Sequence, residues 1–148
     1  MRGFTLVELL IVLGVLAIVS ALAIPFIQSF QISSDLYTFS DTIVKTLRRA
    51  QSQAIAGQQN SDWGVYFDTG ASRFILFKGN NFLTRDSDYD QIENYPAILS
   101  VSNNFGDEIN FSVYSGIPSA SSTITVISSG QGAQIISINS YGKIESHN

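Results

Sequence analysis

From Leu9 to Ile27 the chain carries no charged side chain, only aliphatic residues, Gly14, Ser20, Pro25 and Phe26. As a helix this run would span about 29 Å at ~1.5 Å per residue, close to the thickness of a bilayer's hydrocarbon core. Arg2 precedes the run and predicts a cytoplasmic N-terminus, with the rest of the chain across the membrane. After Pro25 the pattern changes without a stop signal. Ile32, Leu36, Phe39, Ile43, Leu47, Ala50 and Ala54 recur at steps of three and four, with Gln31, Ser34, Asp41, Lys45, Arg48, Arg49 and Gln53 between them. The spacing predicts one helix from about Thr5 to Ala56, apolar all round at first and amphipathic later. Gly57 is expected to cap it, with Arg48 and Arg49 near the end where the helix dipole favours cations. Pro25 removes a backbone hydrogen bond and Gly14 lowers helix propensity, so both are expected to loosen the first half.

From Trp63 the period becomes two. Trp63–Asp68 and Arg73–Lys78 flank Thr69-Gly70-Ala71-Ser72 and predict a hairpin. Residues 80–95 are expected to form a charged loop closed by Pro96. Further strands are expected at Ile98–Ser102, Glu108–Tyr114, Thr123–Ser128 and Gln134–Asn139, with Lys143–Glu145 a short tail. Strands this short and closely spaced form antiparallel sheets. The expected fold is α+β: a long N-terminal helix whose outer half packs on an antiparallel β-sheet domain. The expected division is 1–3, 4–27, 28–57 and 58–148.

Composition narrows the chemistry. The absence of cysteine excludes disulfides, thiolate metal sites and a lipoprotein anchor. The net charge of −4, with acids spread over the outer domain, argues against a phosphate-binding surface. No catalytic set is found: the one histidine, His147, falls in an expected frayed tail, and no serine lies in a G-x-S-x-G elbow. Asp86, Asp88 and Asp90, with Glu93 beyond, are the candidate calcium ligands, since alternating carboxylates open a calcium loop. Gln91 stands where the turn glycine belongs and Ala97 where the bidentate glutamate belongs, so a solvated acidic loop is the alternative.

Glu8 is the residue that an ordinary anchor does not explain. An acid at the centre of a membrane helix costs about 2.5–3.5 kcal/mol, and even near one end it implies a cationic partner. Gly3-Phe4-Thr5-Leu6-Val7-Glu8-Leu9-Leu10 resembles the processing site of type IV pilins and type II secretion pseudopilins. The resemblance implies that a prepilin peptidase cuts after Gly3, leaving a short leader from Met1 to Gly3, and N-methylates Phe4. It implies that Glu8 pairs with the N-terminal amine of a neighbouring subunit during assembly. It also implies that the stretch bounded by Gly14 and Pro25 can lose helicity in the filament.

Leu47-Arg48-Arg49-Ala50-Gln51-Ser52-Gln53-Ala54-Ile55 resembles the end of the long helix in the GspH/FimT group of minor pseudopilins and minor pilins. The segments Ile109-Asn110-Phe111, Thr123-Ile124-Thr125-Val126, Ile136-Ser137-Ile138 and Tyr141-Gly142-Lys143-Ile144 are similar to that group's C-terminal β region. The implied protein is a minor structural subunit, not an enzyme, in the inner membrane with its β domain outside, later part of a filament. Its implied partners are other pilin subunits, the prepilin peptidase and the inner-membrane assembly platform. Some FimT-like relatives bind DNA, but here only Arg48-Arg49 is a basic pair and Lys143 stands beside Glu145. Calcium binding in some major pseudopilins uses a β-region loop that does not align here. Two rivals stay open: a DNA-binding minor pilin of a DNA-uptake pilus, and a β domain with an unrecognised ligand, either held by an uncut signal-anchor or released by cleavage after Ala21-Leu22-Ala23.

Overall fold

The computed structural model describes residues 5–130 and 132–147, with the side chains of residues 22–26 outside the description. Gly3 and Phe4 therefore lie outside the described residues. Thr5 is extended and its hydroxyl accepts from the Glu8 N–H at 3.2 Å, which starts helix α1 (Leu6–Ile55). Its 50 residues span about 75 Å at ~1.5 Å each. The helix continues past Gly14 and Pro25 and closes at Ala56, with Gly57 left-handed (φ 62°) immediately beyond. The Tyr114 N–H, from the far end of the domain, donates to the Ala54 carbonyl at 2.8 Å and so supplies a cap the sequence does not advertise.

Leu36, Phe39, Ile43, Leu47, Ala50 and Ala54 are all buried, as their spacing requires; Val44 and Ser40 widen the buried stripe. Ser40 is tolerated there because its hydroxyl donates to the Leu36 carbonyl at 2.8 Å. Arg48 and Arg49 are not in the last turn. Arg48 reaches sideways instead, its guanidinium donating to the Ile144 carbonyl at 3.4 Å. The expected dipole contact is thus replaced by a helix-to-strand one.

A 3-10 turn (Gln58–Asn60) leads, among the described residues, into eight strands: β1 (Trp63–Asp68), β2 (Arg73–Lys78), β3 (Asp86–Asn94), β4 (Leu99–Asn103), β5 (Glu108–Phe111), β6 (Ser122–Ser128), β7 (Gly132–Ile138) and β8 (Ile144–His147). They form two antiparallel four-stranded sheets, β3-β2-β1-β5 and β4-β6-β7-β8, where the sequence suggested no division. Both sheets feed one core beneath the helix: Trp63, Val65 and Phe67 from the first, Ile124, Val126 and Ile136 from the second. The β1–β2 hairpin matches its predicted ends, yet Gly70 is not the residue that makes the turn possible. Ser72 takes the left-handed conformation (φ 51°), and Asp68 holds the turn by accepting from the Ala71 N–H at 3.1 Å.

Two polar anchors fix the helix end to the β5–β6 connection and the β7–β8 turn. The Gln51 amide donates to the carbonyls of Gly116 (3.1 Å) and Gly142 (2.9 Å). Both glycines have positive φ, and a Cβ on Gly116 would lie 2.4 Å from Ile55, so neither position admits a larger residue.

The expected charged loop over residues 80–95 is corrected: most of it is β3, paired with β2 through Arg73↔Asn94, Phe74↔Glu93, Ile75↔Ile92 and Leu76↔Gln91. Ion pairs hold this polar edge strand. Lys78 reaches Asp86 at 3.0 Å, and Arg85 grips Asp90 at 2.8 Å. Charged edge strands also resist pairing with other chains. The hydrogen bond from Lys78 holds the Asp86 carboxyl below its ordinary value. A carboxyl depressed in the folded state adds stability that is present above its unfolded pKa and lost as pH falls through the folded one. The protection of amides at the start of β3, relative to the unprotected exchange rate at each pH, is therefore expected to fall as pH drops below the ordinary aspartate value of 3.8. Exchange in the buried β1–β2 register, measured in the same spectra, should not follow it.

Candidate assembly site on the N-terminal helix

The domain packs on α1 only from its middle onward. Over residues 6–19 the helix is bare on every side: Leu6, Val7, Leu9, Ile11, Val15 and Val19 point in different directions around the axis and are all more than half exposed. A helix that is apolar all round needs an apolar surrounding. Ser20 does not break the pattern, because its hydroxyl donates to the Leu16 carbonyl at 2.8 Å. A Cβ at Gly14 would meet nothing within 4 Å, so no intramolecular contact requires a glycine there. Exposed Ile27, Phe30 and Tyr37 carry the apolar surface towards the domain. Among the described residues no helix is long and apolar enough to cross a membrane. The uncharged run of the sequence includes residues 22–26, whose side chains lie outside the description.

Glu8 is exposed at the third position of the helix. Thr5-Leu6-Val7-Glu8 is also a capping-box sequence, Thr-x-x-Glu, a signal the reading from hydropathy passed over. An acid here complements the positive end of the helix. A carboxylate here thus serves its own helix, and a contact with a neighbouring subunit would make a different demand on its charge.

The other candidates separate. Asp86, Asp88, Asp90 and Glu93 lie along an extended strand, with Asp86 and Asp90 held by Lys78 and Arg85. Among the described residues no three potential metal ligands converge. His147 is not in a frayed tail: it ends β8, opposite Ile135 in β7. Among the described residues five cations stand in ion pairs, Lys45 with Asp41, Arg73 with Asp68, Lys143 with Glu145, and Lys78 and Arg85 with the acids of β3, while Arg48 and Arg49 form none. Such pairing leaves little positive field for a nucleic-acid backbone.

Residues 1–24 match the family described as the prokaryotic N-terminal methylation motif. Two solved structures of the minor pseudopilin EpsH, from the type 2 secretion system of Vibrio cholerae, share the fold. One aligns over 76% of this chain and 96% of its own at a TM-score of 0.59 and 13% identity. The other aligns over 78% and 94% at the same score and identity. No curated protein matches the sequence. The motif covers the start of the chain, and the fold is the one these two pseudopilin structures have.

Proposed function

We propose that this chain is a minor subunit of a type II pseudopilus or type IV pilus. Residues 1–3 are a leader removed after Gly3, and Phe4 becomes the N-methylated first residue. Residues 4–27 hold the subunit in the inner membrane and then pack in the filament core, 28–57 carry the outer domain, and 58–148 face outward. Gly14 and Pro25 let the core segment adjust when subunits pack. The observation that carries this reading is the bare apolar first half of α1, capped at its start by Thr5 and Glu8. That surface is stable in lipid and, after extraction from lipid, against the same segment of other subunits. Cleavage would set a new ammonium one residue before the cap, within the low dielectric where a carboxylate of a neighbour attracts it far more strongly than in water. Partners are other pilin subunits, the prepilin peptidase and the membrane assembly platform.

The mature N-terminus tests this reading. Intact mass and N-terminal sequencing of the chain purified from cells that contain a prepilin peptidase should give a monomethylated Phe4. An uncut Met1 would support a plain anchor, and a start at Ile24 a secreted domain. Either result would overturn the proposal.

A further inference from the structure

The first sheet has a second apolar layer on the face turned away from α1. Side chains alternate along a strand, so while Val65 and Phe67 face the helix, Tyr66 faces outward beside Phe77 of β2. The segment 79–85 folds back over this outer face. Phe82 stacks on Tyr66 with centroids 3.8 Å apart and planes 6° apart, and meets Phe77 edge-on at 5.6 Å. The opposite face of Phe82 is taken by the Arg85 guanidinium, 3.7 Å from the ring centroid, which Asp90 fixes in turn. Two bonds to β5 lock the segment down: the Phe82 N–H donates to Glu108 Oε2 at 2.7 Å, and the Asn110 amide donates to the Asn80 carbonyl at 2.7 Å. Gly64 leaves room for this, since a Cβ there would lie 1.8 Å from Asn110 Oδ1.

Between this segment and β5 an open cleft of about 430 Å³ remains, lined by Tyr66, Asn81, Phe82, Leu83, Asp107 and Glu108. Its charge is one-sided. The neighbouring acids Asp68 and Asp90 each have an arginine, whereas Asp107 and Glu108 form no ion pair among the described residues. The Tyr66 phenol registers the same field: burial first, then the Asp107 carboxylate, raise its pKa above the ordinary value. Its hydroxyl therefore stays protonated and able to donate across the physiological range. At the lip stands Leu83, 94% exposed and held there by a fixed backbone.

We propose that this cleft is a docking site for a partner protein, receiving one arginine or lysine side chain that is flanked by apolar residues. The Asp107 carboxylate and the Glu108 oxygen not bonded to Phe82 match the cation, the aromatic floor matches its aliphatic stem, and Leu83 matches the apolar flank. The floor and Glu108 sit on paired strands or a pinned segment, and the Asp107 carbonyl accepts from the Phe67 N–H at 2.7 Å, so little ordering is required on binding. The cleft lies on the face of the domain opposite the helix, and its occupation does not depend on Glu8 or on processing at Gly3.

The full chain in detergent micelles, with leucine methyls labelled, is titrated with acetyl-Leu-Arg-Leu-amide while the Leu83 resonance is followed. A saturable shift is expected that weakens as salt rises from about 0.05 to 0.5 M. The same titration with acetyl-Leu-Glu-Leu-amide should leave Leu83 unmoved. Asp107→Asn keeps the side-chain shape at an exposed position and should raise the dissociation constant at least about fivefold. Equal shifts from the Glu and Arg peptides in the unaltered chain, or unchanged affinity in a folded Asp107→Asn chain, would overturn the proposal. The first comparison needs no variant to fold.

Discussion

Glu8→Gln is expected to remove the subunit from filaments as completely as Glu8→Ala, with both chains still cut after Gly3 and methylated at Phe4. The pair of substitutions separates the two roles open to this side chain. Glutamine serves the third position of a capping box as well as glutamate does, whereas alanine does not. If Glu8 acted only on its own helix, Glu8→Gln would assemble normally and Glu8→Ala would lose about 1 kcal/mol of cap at most. If Glu8 instead meets the Phe4 ammonium of a neighbour, glutamine fails too, because a buried cation left without its anion costs about 3–5 kcal/mol. At 1.4 kcal/mol per decade that is a fall of about two to three and a half orders of magnitude in incorporation. Quantitative blotting of sheared or membrane-released filaments measures it, and normal incorporation of Glu8→Gln would reduce the residue to a helix cap. The outer domain offers an internal control. Thr5 and Glu8 lie far along α1 from the first buried position, Leu36, so neither change should alter its unfolding.

Leu47→Ala is expected to destabilise the outer domain by about 2–5 kcal/mol, the range for an emptied leucine site in a packed core. Leu47 has no exposure to solvent and lies in the cluster that joins the helix to both sheets, so no nearby surface can collapse into the gap without moving a strand. Trp63 reports the transition: it is the one tryptophan, 2% exposed, with its indole N–H donating to the Gln58 carbonyl at 3.1 Å. Urea unfolding in detergent, followed by its fluorescence, should show the midpoint fall sharply for Leu47→Ala. Lys45→Ala, on the outward face of the same helix and paired only with Asp41, should move it by less than about 0.5 kcal/mol. A comparable effect at both positions would mean that the helix is not anchored by its inner stripe.

The hydrophobic period alone determined the long helix, its inner stripe and the β1–β2 hairpin, because these depend on side-chain spacing along one segment. It also determined the bare apolar run with one acid near its start, since that pattern has few stable surroundings. Neither required knowledge of what lies across the molecule. The errors share a cause: they fell where a partner distant in sequence decides the outcome. β3 reads as a loop because its residues are polar, and they extend only because β2 offers a ladder and Lys78 and Arg85 hold the acids. His147 is fixed by Ile135, and Arg48 by Ile144. The outer cleft was invisible for the same reason. Phe82 lay in an apparent charged loop, and only the fold brings it onto Tyr66 and leaves Asp107 and Glu108 beside them without a cation. Local patterns set which face of an element is apolar; the pairing of elements sets where charges are matched, and that second step belongs to the tertiary structure because electrostatic partners act through space rather than along the chain.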